Sequence, residues 1–279
     1  MAENYDIRPL QLKVLDILLA VDRVCREHQL RYYIIAGTLL GALRHRGFIP
    51  WDDDLDIGMP RKDYEIFMAH ADTWLPAYYE AINGQNDPEY PLSFAKIQDA
   101  RTTLIERKHL KYTGGIYIDL FPLDGVPENK LVQWWHYSRF AWYNKMLYFI
   151  FRDPYKHGKG VGSWVPLLAR KLYTRSGIQT RLREMMMKYD FDESTKVCDY
   201  DDGRKGILPK AVFGNPTPLQ FEGKEVWGPA QPDTYLSQKY GDYMIIPPKE
   251  KQRQHNFYYL DLNKPYSNRP IPESSTINH

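Results

Sequence analysis

Apolar residues near the start of the chain recur at helical spacing. Leu12, Leu15 and Leu19 form one row, and Ile17, Val21 and Val24 form the adjoining one, with charges between them. That period predicts an amphipathic helix over 9–29, with Pro9 in its first turn. The run Tyr32-Tyr33-Ile34-Ile35-Ala36 predicts a buried strand ending at Gly37-Thr38. A short helix over Leu39 to His45 follows, broken by Gly47 and Pro50. Leu55 to Met59 reads as a second strand closed by Pro60, with a helix from Lys62 to His70 behind it. Residues 92–106 are strand-like, and Ile116 to Phe121 is a clear strand entered from Gly114-Gly115 and ended by Pro122.

From about 128 to 188 the pattern is helical and aromatic, including WWHYSRFAWYNKMLYFIF. Pro154, Gly158, Gly160 and Gly162 divide it into two helical pieces. Residues 206–248 read as short strands and turns. The polar tail from Asn263, with Pro265, Pro270 and Pro272, predicts poor order. The expectation is an α+β fold with a mixed sheet. It divides into a core over 1–127, a helical basic and aromatic segment over 128–190, a completing part over 191–262 and a flexible tail over 263–279.

The 279 residues, 43% hydrophobic and 26% charged, suffice for a full core without staples. Cys25 and Cys198 lie far apart and show no metal-type spacing. A reduced compartment is the better reading, and one disulfide between them is the alternative. The polar start MAENYDIRP is not a signal peptide, and no apolar stretch approaches the ~18 residues of a spanning helix. A soluble or peripheral protein is expected. Net charge is +2 but unevenly spread: residues 130–188 hold twelve bases against two acids, a net +10. The remainder nets −8, so an anionic partner is expected for the middle segment.

The most informative stretch is GTLLGALRHRGFIPWDDDLDIGM, residues 37–59. Residues two apart on a strand share a face, so Asp52, Asp54 and Asp56 should project together. Crowded carboxylates repel unless a cation sits between them, and hard oxygen ligands suit Mg²⁺ or Mn²⁺. A solvated acidic turn is the other reading, and the apolar runs on both sides disfavour it. A calcium loop would need a loop glycine and a distal glutamate, and both are missing. Gly37-Thr38, between a strand and a helix, offers free backbone N–H groups to a phosphate. Gly-Thr followed by Asp-apolar-Asp is the pattern of the nucleotidyltransferase fold shared with polymerase β. That fold takes a third carboxylate from a later strand. Asp119 fits; Asp124, the rival, follows Pro122 and reads as a turn residue.

The block GTLLGALRHRGFIPWDDDLDIGMPRKDYEIF resembles the defining motif of the LicD family, which includes fukutin and fukutin-related protein. GGIYIDLFPLDGVP resembles its second motif, and YGDYMIIPP, after QPDTYLSQK, its C-terminal end. The three blocks span roughly residues 32 to 255. The resemblance implies a polymerase β-like nucleotidyltransferase core carrying a helical insertion. It also implies transfer of a phospho-alcohol from a CDP-activated donor to a sugar hydroxyl of a cell-surface glycan, lipopolysaccharide or teichoic acid, with release of CMP. The donor is CDP-choline in bacterial LicD enzymes and CDP-ribitol in the fukutin branch. Carried over, Asp54 and Asp56 bind the metal and Asp119 is the third carboxylate, binding metal or accepting the hydroxyl proton. Asp52 and Asp53 belong to the motif without an assigned role.

Gly37 and Thr38 are candidates for holding a phosphate, and Arg44 and Lys96 for contacting one. His45 and His255 read as structural or surface residues. Two other functions stay open: nucleotidyl transfer from an NTP, and a non-catalytic module that holds a nucleotide or glycan. The expected partners are a CDP-alcohol and a glycan acceptor, including a lipid-linked one, and the expected location is cytoplasmic, including the inner face of the membrane. No RNA-binding motif is present, so no nucleic acid is expected. The basic, Trp-rich segment 130–188, with Arg170, Lys171 and Arg175, suits an anionic bilayer surface. A helical unit packed on the core, with solvated charges, fits the same pattern.

Overall fold

The computed structural model describes residues 6–110, 112–156 and 159–266 and the backbone of 276–278. The first five residues of the polar start, Gly158 in the expected break, and Pro270 and Pro272 of the tail lie outside the described residues. Helix α1 (Arg8–Glu27) buries Leu10, Val14, Ile17, Val21 and Val24, a row stepping by three and four residues. Leu12 points outward because it lies half a turn from that row. Strand β1 (Tyr33–Ile34) is shorter than its apolar run, because helix α2 (Ala36–His45) starts earlier than expected. Then come β2 (Asp56–Pro60), α3 (Arg61–Trp74), β3 (Tyr79–Ile82), β4 (Ala95–Ile105) and β5 (Gly114–Gly125).

Three helices follow: α4 (Lys130–Phe151), α5 (Val161–Leu172) and α6 (Arg175–Met186). The expectation was two pieces. The extra break falls at Tyr173-Thr174, where Thr174 Oγ1 accepts from Gly177 N at 3.1 Å and caps α6. The chain continues through β6 (Lys196–Asp199), β7 (Ile207–Pro209), α7 (Lys210–Phe213), β8 (Thr217–Phe221) and β9 (Lys224–Gly228). Helix α8 (Pro232–Tyr240), with Pro232 at its start, lies where only strands and turns were expected. Strands β10 (Tyr259–Asp261) and β11 (Thr276–Asn278) complete the described residues.

The main sheet is mixed, as expected, and the class is α+β. Its order is β1-β2-β5-β4-β10-β11, with β3 also on β4, β6 on β5 and β7 on β6. Strands β2 and β5 run parallel, with Asp56 opposite Asp119. Strand β4 runs antiparallel to β5, with Lys96 opposite Asp119. This register places the site: three strands bring two acids and a lysine side by side. Gly115 lets β5 cross close to β4, since a Cβ there would lie 2.0 Å from the Asp99 carbonyl oxygen.

One hydrophobic core joins α1, α3 and the sheet. A second gathers Phe140, Leu147, Ile150, Ile178, Leu182 and Tyr200 around α4 and α6. Cys25 lies in the first and Cys198 in the second; both are free thiols, so no disulfide joins them.

Strand β5 does not stop at Pro122. It runs on to Gly125 because β2 pairs with it through Leu123 and β6 pairs with Leu123–Gly125. Asp124 is therefore a strand residue and not a turn residue. It is fully buried and takes Arg61 Nε at 2.8 Å and Arg61 Nη2 at 2.5 Å. That bidentate pair makes Asp124 an internal structural acid. Asp124→Ala should lower unfolding stability by about 3–5 kcal/mol, because it strands the Arg61 charge. The double variant Arg61→Met with Asp124→Leu should recover most of the loss. Urea midpoints measure both, and an unchanged midpoint in Asp124→Ala would contradict the pairing.

Candidate active site

The acids lie where the chain enters β2. Asp52, Asp54 and Asp56 are partly open on one side, while Asp53 and Leu55 are buried on the other. The expected alternation therefore holds, although regular strand geometry begins only at Asp56. Backbone hydrogen bonds hold the segment: Asp119 N donates to Leu55 O at 2.9 Å, and Ile35 N to Asp56 O at 3.0 Å. Thr38 is buried, and its hydroxyl accepts from Asp56 N at 2.7 Å. Thr38 thus fixes the acidic strand directly.

Helix α2 points its first turn at the same acids. Ala36 adopts φ 49°, an uncommon value for a residue with a side chain, and donates its N–H to Tyr235 Oη at 3.3 Å. A Cβ on Gly37 would lie 2.9 Å from Asp52 Oδ2, so glycine permits the carboxylate to approach the helix start.

The carboxylates lack enough compensating charge. Burial, then the charges of Asp54 and Asp53, push Asp52 up to about 8. Burial also raises Asp54, and raises Asp56 further with help from Asp54 and Asp119. Asp119 is pushed up to about 8 by burial; Lys96 opposes this, and Glu106, Asp54 and Asp201 add to it. Asp119 Oδ1 is buried and has no hydrogen-bond donor among the described residues.

The other candidates from the sequence, Lys96 and Arg44, make contacts of their own within the fold. Lys96 is buried on β4, 2.8 Å from Glu106 and 3.7 Å from Asp119 Oδ1, with its ammonium 3.2 Å from the centre of the Tyr117 ring. It is a counter-charge to the acids before it is a phosphate contact. Arg44 donates to the carbonyl of Tyr243 at 3.1 Å and stands 6.0 Å from the Trp51 ring centre, so it anchors the chain after α8. His45 packs edge-on against Trp51 and stays out of the acid cluster.

His255, read as structural or surface, is exposed and yet bonds to the acid cluster from 202 residues away. Its N–H donates to Asp53 Oδ2 at 2.9 Å, its Nδ1 meets Asp53 Oδ1 at 2.5 Å, and its Nε2 stands 3.9 Å from Asp54. The Asp53 hydrogen bond pushes its pKa up to about 9. Two further acids, Asp201 and Asp202, approach the site from the loop after β6. Asp201 acts on Asp119, and Lys239 pairs with Asp202 at 2.5 Å while stabilising the Asp56 carboxylate. Beside Asp201 a groove of about 340 Å³ is lined also by Arg107, Tyr137, Lys145 and Tyr148.

Side-chain ligand atoms of Asp52, Asp53, Asp54 and His255 lie within 4.8 Å of one another. His255 already serves Asp53 as a cation, so that corner is charge-paired. Asp54, Asp56 and Asp119 stay raised despite His255, Lys239 and Lys96 nearby. One buried Asp119 oxygen without a donor among the described residues, beside two further raised carboxylates, would suit a hard divalent cation.

The family description "LicD/FKTN/FKRP, nucleotidyltransferase domain" matches residues 29–166. The chain is similar to the Haemophilus influenzae lipopolysaccharide cholinephosphotransferase LicD, at 30% identity over 263 residues, 90% of this chain and 96% of that protein. It is 42% identical over 103 residues to an uncharacterized Rickettsia prowazekii protein, RP689, covering 37% of this chain and 36% of that one.

Lys96→Met separates two roles for the lysine. As a counter-charge, its loss should destabilise the EDTA-treated protein by about 3 kcal/mol, and Mn²⁺ should then raise the melting temperature more than in the wild type. An unchanged Mn²⁺ response together with a higher KM for the donor would make Lys96 a phosphate contact only.

Proposed function

The chain belongs to the LicD family, and from that premise we propose that it is a metal-dependent transferase that moves phosphocholine, or a similar phospho-alcohol, from a CDP-activated donor to a sugar hydroxyl of a cell-surface glycan. One observation carries the reading. Asp56 and Asp119 are register partners on parallel strands, with Asp54 beside them, in a chain that aligns along 96% of a cholinephosphotransferase at 30% identity. We read the core as of the nucleotidyltransferase type. Its support is the Gly37-Thr38 turn ahead of Asp54 and Asp56, and a third acid on the neighbouring strand.

Asp54, Asp56 and Asp119 would hold Mg²⁺ or Mn²⁺. Bound there, the ion would neutralise diphosphate charge and acidify the attacking hydroxyl. The chain's own residues have separate tasks. Thr38 and Gly37 fix the acidic strand against the start of α2, and the α2 N-terminus favours a nearby phosphate. Asp119 completes the ligand set or accepts the hydroxyl proton. Arg107, on the groove beside Asp201, would receive the donor's diphosphate. The acceptor oxygen bonds to the phosphorus that carries the alcohol. The bond to CMP breaks, CMP leaves with the electron pair, and the hydroxyl proton passes to the base.

Nucleotidyl transfer from an NTP would use the same acids, but the likeness to a cholinephosphotransferase along nearly its whole length favours the phospho-alcohol. The acceptor is proposed to be a lipid-linked glycan on the cytoplasmic side of a membrane. No described helix is long and apolar enough to cross one.

With CDP-choline, Mg²⁺ and a lipopolysaccharide acceptor, CMP release should require all three. EDTA should abolish it, and Asp54→Asn or Asp56→Asn should lower the rate ~10³-fold or more with the fold intact. Asp119→Ala should lower kcat by several orders of magnitude with a smaller effect on donor binding. Full activity of Asp56→Asn would end the assignment, and turnover of CTP in place of CDP-choline would favour nucleotidyl transfer.

A further inference from the structure

Helix α5 is amphipathic in the inverted sense. Its small residues Ser163, Pro166 and Ala169 are buried, and its large apolar ones are not. Val161, Trp164, Val165, Leu168 and Leu172 fall on one stripe at helical spacing and face solvent, Trp164 with 68% and Leu172 with 64% of its surface exposed. Isolated apolar residues are normal on a surface, but a five-residue stripe marks a contact. Helix α4 adds Leu131, Trp135 and Trp142, all exposed. Trp142 Nε1 donates to the Tyr173 hydroxyl at 3.5 Å, directly after Leu172, so the two stripes meet there.

The charges around these stripes are basic. Lys145, Lys156, Lys159, Lys171 and Arg181 are exposed, and among the described residues none pairs with a carboxylate. Two members of the expected cluster are engaged in the fold. Arg170 donates to the carbonyls of Ile150 and Arg152, and Arg175 pairs with Glu89. Lys171 alone of that trio is free to meet a partner.

We infer that the α4–α5 face docks on an anionic lipid bilayer. The α5 stripe enters the headgroup boundary, and the unpaired lysines meet acidic headgroups. An apolar face ringed by uncompensated bases and indoles is the chemistry of a helix lying in a membrane interface. A second copy of this chain fits poorly, because a symmetric contact would press two positively charged faces together. The inference stands apart from the transfer reaction, because its test reads binding and not turnover.

The full chain is floated with vesicles of phosphatidylcholine alone and of phosphatidylcholine with phosphatidylglycerol. Binding should appear only with the anionic vesicles and weaken with salt. Leu168→Asp, and Lys159→Glu combined with Lys171→Glu, should each weaken it at least about tenfold with melting temperature unchanged. Leu172→Asp, at the helix end, replaces Leu168→Asp if that variant unfolds. Negligible flotation with both vesicle types overturns the inference. So does anionic binding that ignores the apolar substitutions, or a wild-type dimer that they dissociate.

Discussion

The structure depends on carboxylates that strand pairing brings side by side in a largely buried setting, where burial and mutual repulsion disfavour their charge. Asp56 and Asp119 are register partners on adjacent parallel strands, and Asp54 shares the open face with Asp56. Strand pairing alone would bring unlike residues together at this position as readily. Here it joins two acids and leaves a buried Asp119 oxygen without a donor. Such an arrangement costs stability by itself, and it persists because surrounding groups over-determine it.

Those groups come from the whole chain. Lys96 stands behind Asp119, Lys239 reaches from α8, and His255 holds Asp53 from the segment after α8. Thr38 ties Asp56 to α2, whose tight start needs Gly37 against Asp52. Positive charge thus surrounds the acids, yet burial and mutual repulsion still keep Asp54, Asp56 and Asp119 raised. The proposed cation would balance the charge that remains.

Much of this could be read in the sequence. Alternation placed Asp52, Asp54 and Asp56 on one side, and an acid inside the apolar run Ile116–Phe121 marked Asp119 as needing a partner. Long-range partners could not be read. His255 has no local pattern, and only the folded path after α8 delivers it to Asp53. Asp201 and Asp202 act from a loop that carries no motif, and Lys239 from a helix in the segment 206–248, read as strands and turns. Asp124 misled in the other direction: Pro122 signalled a turn, but β6 supplies partners that carry the strand onward. Helical periodicity located α5 in general terms without showing which face packs, because its small residues and not its large ones turn inward.

The central claim is that a divalent ion belongs between Asp54, Asp56 and Asp119 and not beside Asp53, which His255 already serves. Crystals of the whole chain grown with Mn²⁺, measured for anomalous scattering, address it directly. The account predicts a peak within about 2.3 Å of carboxylate oxygens of Asp54, Asp56 and Asp119, with His255 still bonded to Asp53. A peak ligated by Asp53 and the imidazole of His255, with none at Asp119, would contradict it.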